Sequence, residues 1–285
     1  YNTRIGNKSI MELLLLRIIN KISRITRKIL VDNPLSRKLL VRDYEIHFSK
    51  ASWANLFRGV YNSFQEAADS APATKPIGYD HPDPANMYVE RTRQVYSSDY
   101  PVLFWLSSIL KTNKKVFDLG GHIGVSYYAY QRYLDYSEDL QWMVCDVPEV
   151  TRSGEIFAKK KNDTRLRFTS DYDSADGHDV LLASGSLQYI ETPLPELLHR
   201  LKNKPRHIII NLLPAYDGES FVTLQNIGTV FCPYQIFNRS EFIESFQAIG
   251  YECIDMWRNE EKECNIPFYP EHSLEYYFGF YFRSN

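Results

Sequence analysis

Apolar positions along this chain follow two different spacings. From Lys114 onward they bunch into short runs, each followed by polar or glycine-rich residues. Such runs predict strands at Lys114–Asp118, Leu140–Asp146, Leu166–Thr169, Asp179–Ser184 and Arg206–Asn211, with helix-capable or irregular segments between them. Asn238–Ile249 reads as a helix, and Tyr251–Trp257 and Leu274–Arg283 as two strands with no helix between them. Near the N-terminus the spacing is helical. Leu14, Ile18, Ile22, Ile25 and Ile29 form one apolar stripe, with Arg17, Lys21, Arg24 and Lys28 on a neighbouring face. That helix is expected to stop near Asp32–Pro34, because proline disfavours helical geometry in the residue before it.

Alternating strands and crossovers predict a parallel sheet. The closing strand pair sets it apart from a nicotinamide-binding layout and fits the sheet of S-adenosylmethionine-dependent methyltransferases. The expected fold is therefore α/β: a Rossmann-like class I methyltransferase sheet, mostly parallel with its last strand antiparallel, carrying an N-terminal helical extension. Residues 1–50 are expected to form the basic amphipathic extension, 51–110 a helical cap and linker, and 111–285 the sheet domain. Ala68–Pro84, with four prolines, is the expected linker.

The first strand leads into KKVFDLGGHIGV (114–125). Glycines straight after a strand allow a tight turn and close approach of a ligand, and a helix N-terminus favours anionic or polar groups. The second strand also ends in an acid, Asp146, able to accept both hydroxyls of a ribose. The glycines fall at 120, 121 and 124, not in the G-x-G-x-x-G spacing of a nicotinamide enzyme.

The chain resembles a family of bacterial methyltransferases often encoded among lipopolysaccharide and O-antigen genes. The likeness runs from Phe57 to the C-terminus on FRGVYNSFQEA (57–67), GYD (78–80), DLGGHIGVSYY (118–128), WMVCDVPEV (142–150), SGSLQYIETPL (184–194), TLQNIG (223–228) and PYQIFNRSEF (233–242). One departure is His122, where the common methyltransferase loop has a further glycine. The resemblance implies methyl transfer from S-adenosylmethionine, and a sugar hydroxyl of a surface glycan or its precursor is the acceptor to test first.

On that reading Asp118 receives the methionine amine or its bridging water, and Gly120 and Gly121 let the backbone pass the sulfonium arm, with Gly124 opening the helix. Asp146 holds the ribose, Val147 packs on adenine, and Asp171 accepts the adenine amino group. Ser184, Gly185, Ser186 and Gln188 make a small polar shelf before Tyr189, near the transferred methyl. His122, His272 and Asp217 are the candidate general bases, since a hydroxyl nucleophile must lose its proton as it attacks. The segment Leu213–Asn238, with Tyr216, Gln225 and Tyr234, is expected to roof the C-terminal edge of the sheet, and Arg58 and Tyr61 to complete the acceptor wall.

Composition narrows the alternatives. The four cysteines lie far apart without C-x-x-C spacing, so neither a zinc site nor a disulfide framework is expected, and no metal is assigned. A net charge of −2 argues against nucleic-acid binding. Residues 1–50 carry eleven Lys or Arg against four Asp or Glu, a local +7 against −9 for the remainder. Basic residues interrupt the apolar stripe too often for a membrane span, so the extension is expected either to dock on protein or to lie on an anionic membrane surface through residues 10–30. A cytoplasmic location is expected, with peripheral contact at the inner face of the membrane on the second of these alternatives. Two other readings compete: a nicotinamide-dependent oxidoreductase, and a catalytically degenerate scaffold at the membrane.

Overall fold

A computed structural model describes residues 34–52, 55–80 and 88–284. The basic stripe expected between residues 10 and 30 lies outside them. The chain divides after Lys50 into two units. In the first, the described element is helix α1 (Pro34–Lys50).

The second unit holds the sheets. In chain order its strands and α-helices are β1 (Leu56–Tyr61), α2 (Phe64–Asp69), α3 (Tyr100–Ile109), β2 (Lys115–Leu119), α4 (Val125–Tyr130), β3 (Gln141–Cys145), α5 (Pro148–Lys161), β4 (Leu166–Thr169), β5 (Val180–Ser184), α6 (Leu194–His199), β6 (His207–Leu213), β7 (Ala215–Tyr216), β8 (Phe221–Asn226), β9 (Phe231–Asn238), α7 (Arg239–Gln247), β10 (Tyr251–Asn259) and β11 (Tyr277–Ser284). No helix among the described residues is long and apolar enough to cross a membrane.

Seven strands form the main sheet in the order β10-β11-β6-β5-β2-β3-β4. Pairs from β6 to β4 are parallel, and β11 inserts antiparallel between β6 and β10. This is the class I methyltransferase layout. The central strands are apolar on both faces because helices cover both. On one face, α6 and α7 pack Leu197, Phe242 and Phe246 onto Ile208, Ile210, Phe280 and Phe282, with the Phe246 and Phe282 rings stacked at 4.4 Å. On the other, α3 and α4 pack Leu103, Leu106, Tyr127 and Tyr130 onto Val116, Trp142 and Leu182.

A second, four-stranded sheet has the order β1-β8-β9-β7. It corrects two expectations. Residues 51–110 are not simply a helical cap, because β1 pairs antiparallel with β8 from Leu56↔Asn226 to Tyr61↔Val222. The expected roof at Leu213–Asn238 is three strands. Its packing core joins Phe57, Tyr234 and Ile236 to Cys264, Ile266, Leu274 and Tyr277 from the loop before β11 and its first residue. The proline-rich linker is docked as well: Gly78 N–H donates to the Phe231 carbonyl (2.8 Å) and Phe231 N–H to the Pro76 carbonyl (2.9 Å). Beside it, the Lys75 ammonium donates to the Asn226 amide oxygen at 3.0 Å and to the Ala51 carbonyl.

The hinge from this sheet into α7 is Asn238. Its side-chain oxygen accepts the Glu241 N–H (2.9 Å), capping the helix, while its amide donates to the Gly218 carbonyl (2.9 Å). Asn238→Ala is expected to cost about 1–2 kcal/mol, read as a lower urea midpoint with an unchanged slope.

Candidate functional site

A cavity of about 830 Å³ opens at the C-terminal ends of β2, β3 and β5. Chain order reverses across the β2–β5 boundary: β3 and β4 lie to one side, β5 and β6 to the other. Open α/β sheets bind ligands at this switch point, because the loops leaving the two strands part in opposite directions.

The glycine loop forms the floor. Gly120 N–H donates to the Cys145 carbonyl (2.7 Å), and the Ser186 hydroxyl to the Leu119 carbonyl (2.6 Å), which tie the loop to the tips of β3 and β5. Gly120 has φ +72°, and a Cβ there would strike the Ser186 side chain. A Cβ at Gly121 would strike the Asp118 carboxyl group. Both glycines line the cavity, and each is also required by a neighbour within the protein. Gly124 is also a packing residue. It lies outside the cavity lining, takes φ +86° as the cap of α4, and would press a Cβ against Leu166. Since α4 has only six residues, the helix-terminus contribution expected there is small.

Asp118 does not meet the ligand space. Its carboxyl group is folded beneath Gly121, 1% exposed, with the Trp142 indole N–H donating to Oδ2 at 3.0 Å and Oδ1 accepting nothing. Burial pushes its pKa to about 7, against the Trp142 hydrogen bond and with a smaller push from Asp146.

Asp146 does line the cavity. Oδ2 accepts the His122 N–H (2.9 Å) and Oδ1 the Val147 N–H (2.8 Å), so the carboxylate fastens the glycine loop to the tip of β3 while each oxygen keeps a lone pair. Burial raises its pKa to about 6, opposed by those two donors, so the charged form predominates at neutral pH. Val147 lines the same wall, whereas Asp171 does not. Asp171 caps the turn that follows it by accepting the Asp173 N–H (3.0 Å), and the neighbouring Tyr172 faces the cavity.

His122 lines the cavity with φ +57°, its ring edge-on to Tyr88 (4.7 Å) and Tyr79 (6.3 Å). From Tyr79 an aromatic wall continues through Tyr189 (5.7 Å) and Tyr234 (5.2 Å) to Phe57 (5.2 Å). Hydrogen bonds hold these rings: the Tyr189 hydroxyl donates to the Gln225 amide oxygen (2.8 Å), and Tyr234 to Tyr277 (2.9 Å). Ser184 and Gln188 line the cavity between wall and glycine loop. Near the C-terminal end of β6, Asn211 accepts from both Trp257 and Asn259 of β10 (3.1 Å each) and donates to the Ser98 carbonyl (3.0 Å), tying two other segments to this strand.

Five other residues expected in the site lie outside the cavity lining. Asp217 is exposed and paired with Arg239 at 2.7 Å. His272 contacts Glu271 (3.2 Å) and sets its ring edge-on to Phe221. Arg58 donates to the Ser70 carbonyl and lies 3.5 Å from the Tyr61 hydroxyl, so both serve the joint between β1 and α2. Tyr216 donates to the Glu219 carbonyl (2.7 Å) within its own turn. Tyr79, Tyr88, Arg91, Asn259 and Lys262 were missed from sequence. Only Tyr79 carried a signal there, as the centre of GYD; Asp80 of that motif accepts the Glu149 N–H (2.9 Å) in the first turn of α5.

No family model and no curated protein matches this chain. Among solved structures it is similar to the 1,6-didemethyltoxoflavin-N1-methyltransferase of Burkholderia thailandensis, solved with 1,6-didemethyltoxoflavin and S-adenosylhomocysteine. The match has 18% identity and a TM-score of 0.46, and covers 71% of this chain and 83% of that one. It is also similar to the magnesium protoporphyrin IX methyltransferase of Synechocystis PCC 6803 with bound S-adenosylmethionine, at 12% identity and a TM-score of 0.42 over 65% of this chain and 77% of that one.

Proposed function

We propose that this chain is an S-adenosylmethionine-dependent methyltransferase acting on a hydroxyl of a surface glycan or its precursor. The observation that carries the reading is the Asp146 carboxylate. It faces the cavity at the switch point of a class I methyltransferase sheet and keeps an acceptor site on each oxygen for a ribose hydroxyl. Val147 and Tyr172 would flank the adenine. When bound, the cofactor supplies an electrophilic methyl on a good leaving group, so the protein's part is chiefly positioning.

Of the three bases weighed, His122 alone lines the cavity, and it is the candidate to take the proton of the attacking hydroxyl. The rings of Tyr79, Tyr189 and Tyr234 offer faces to a sugar, and Gln225 a polar edge. A basic segment at residues 10–30 would keep the enzyme near an acceptor held at an anionic membrane.

The competing readings are less well supported. The antiparallel insertion of β11 departs from the nicotinamide layout. The cavity is open and Tyr127 is fully buried with its hydroxyl on Asp163 (2.8 Å), which counts against a plugged scaffold. Titration calorimetry is expected to show saturable binding of S-adenosylhomocysteine and none of NAD; the reverse pattern, or silence to both, would end the proposal. Incubation with methyl-labelled cofactor and a panel of lipid-linked glycans, nucleotide sugars and small phenols then finds the acceptor, and label only on the phenols would remove the glycan assignment.

A further inference from the structure

Three cations line the cavity: Arg258 is exposed, with its guanidinium over the Tyr276 ring, while Arg91 and Lys262 are half-buried. Arg91 lies in the 3-10 turn Glu90–Arg93, half-buried, its guanidinium 5.0 Å from the Tyr88 ring centre and 5.4 Å from that of Tyr96. Lys262 lies in the turn after β10, also half-buried, its backbone N–H held by the Asn259 carbonyl (3.2 Å). Neither forms an ion pair among the described residues. Burial, with the nearby charge of Arg91 added, pulls the Lys262 ammonium below its ordinary range.

Asp99, Glu260, Glu261 and Glu263 line the same cavity, but none of them forms an ion pair with either cation. Glu260, Glu261 and Glu263 are exposed, and the two oxygens of Asp99 are engaged by the Tyr96 N–H (2.8 Å) and the Tyr130 hydroxyl (3.0 Å). Like charges that face one partly buried cavity raise the free energy of the empty site, and an anion between them reverses the sign. A phosphate group carries about −1.5 to −2 charge and several acceptor oxygens, so it matches two cations better than a carboxylate does.

We infer that Arg91 and Lys262 form a clamp for a phosphate group on the acceptor, at the Tyr88 end of the aromatic wall. This rests on the methyl-transfer reading and narrows its acceptor to a phosphorylated compound. The wall would take the rings of that acceptor while the clamp sets how far they enter.

The test titrates inorganic pyrophosphate into protein saturated with S-adenosylhomocysteine, at low and at moderate salt. Wild type is expected to bind at one salt-sensitive site. Lys262→Gln should weaken that binding about tenfold or more while changing S-adenosylhomocysteine affinity less than about twofold. Lys111→Gln, which removes the same charge from an exposed position outside the cavity, should alter neither. No pyrophosphate binding by wild type, or equal binding by Lys262→Gln, overturns the clamp. Loss of S-adenosylhomocysteine affinity in Lys262→Gln also overturns it, because the pair would then hold the cofactor's own carboxylate. If wild type ignores S-adenosylhomocysteine altogether, the methyl-transfer reading fails separately, and the same titration on free protein still decides the clamp.

Discussion

Asp146→Ala is expected to lower the affinity for S-adenosylhomocysteine at least about a hundredfold. Each hydroxyl bonded to a carboxylate contributes about 1.5–3 kcal/mol, and two are lost together. Because the same side chain also fastens His122 N–H and Val147 N–H, part of the loss could come from a displaced glycine loop. A ligand comparison separates these effects. Wild type should prefer 5′-methylthioadenosine strongly over its 2′,3′-dideoxy form, and Asp146→Ala should bind both alike. If the variant keeps the preference, the ribose assignment is wrong whatever happens to overall affinity. The pH dependence gives a second check. With a pKa near 6, Asp146 loses its charge in mild acid, so wild-type affinity should fall as pH drops through about 6 and the variant's should not.

The main sheet was legible because its strands are apolar on both faces and end in small or acidic residues. Leu166–Thr169 was placed at its observed bounds, and the strand pair at the C-terminus identified the antiparallel insertion. The second sheet was not legible. All six residues of β8 are buried, so the strand shows no alternation, and β9 contains Pro233, which argues against a strand when read locally. Its partner β1 lies roughly 160 residues earlier, a pairing that no local pattern encodes.

The candidate site divides along the same line. Asp146, Val147 and the β5 tip follow directly from strand ends, and the structure places them on the cavity. Asp217, Asp171 and His272 were chosen for chemical type near a predicted strand end, but a local partner holds each one: Arg239, the Asp173 amide and Glu271. Arg91 and Lys262 reach one cavity from segments about 170 residues apart, and only the fold brings them together.

Asp118→Asn should remove most of the loss of stability that the wild type suffers as pH rises towards neutrality. An aspartate free in solution titrates near 3.8, and burial under Gly121 moves this one to about 7. The folded state thus holds its proton more tightly than the unfolded chain does. That contribution is complete below about pH 4 and is lost as pH rises through about 7, a change on the order of a few kcal/mol. An asparagine cannot ionise, so the variant's stability should stay nearly flat over this interval, apart from the smaller contribution of Asp146 in the same direction. In acid the variant should be the less stable protein by about 1–2 kcal/mol, because an amide must turn its oxygen to the Trp142 N–H and leave its own N–H₂ where Oδ1 now accepts nothing. The two curves should therefore cross, with Asp118→Asn the more stable above neutrality. Urea unfolding at half-unit steps between pH 5 and 8.5 measures both curves, and parallel curves would mean that Asp118 is ionised in the folded protein at every pH tested. A crossing would identify the glycine loop as resting on an acid that stays protonated up to about pH 7, which leaves Asp146 as the charge that faces the ligand below neutrality.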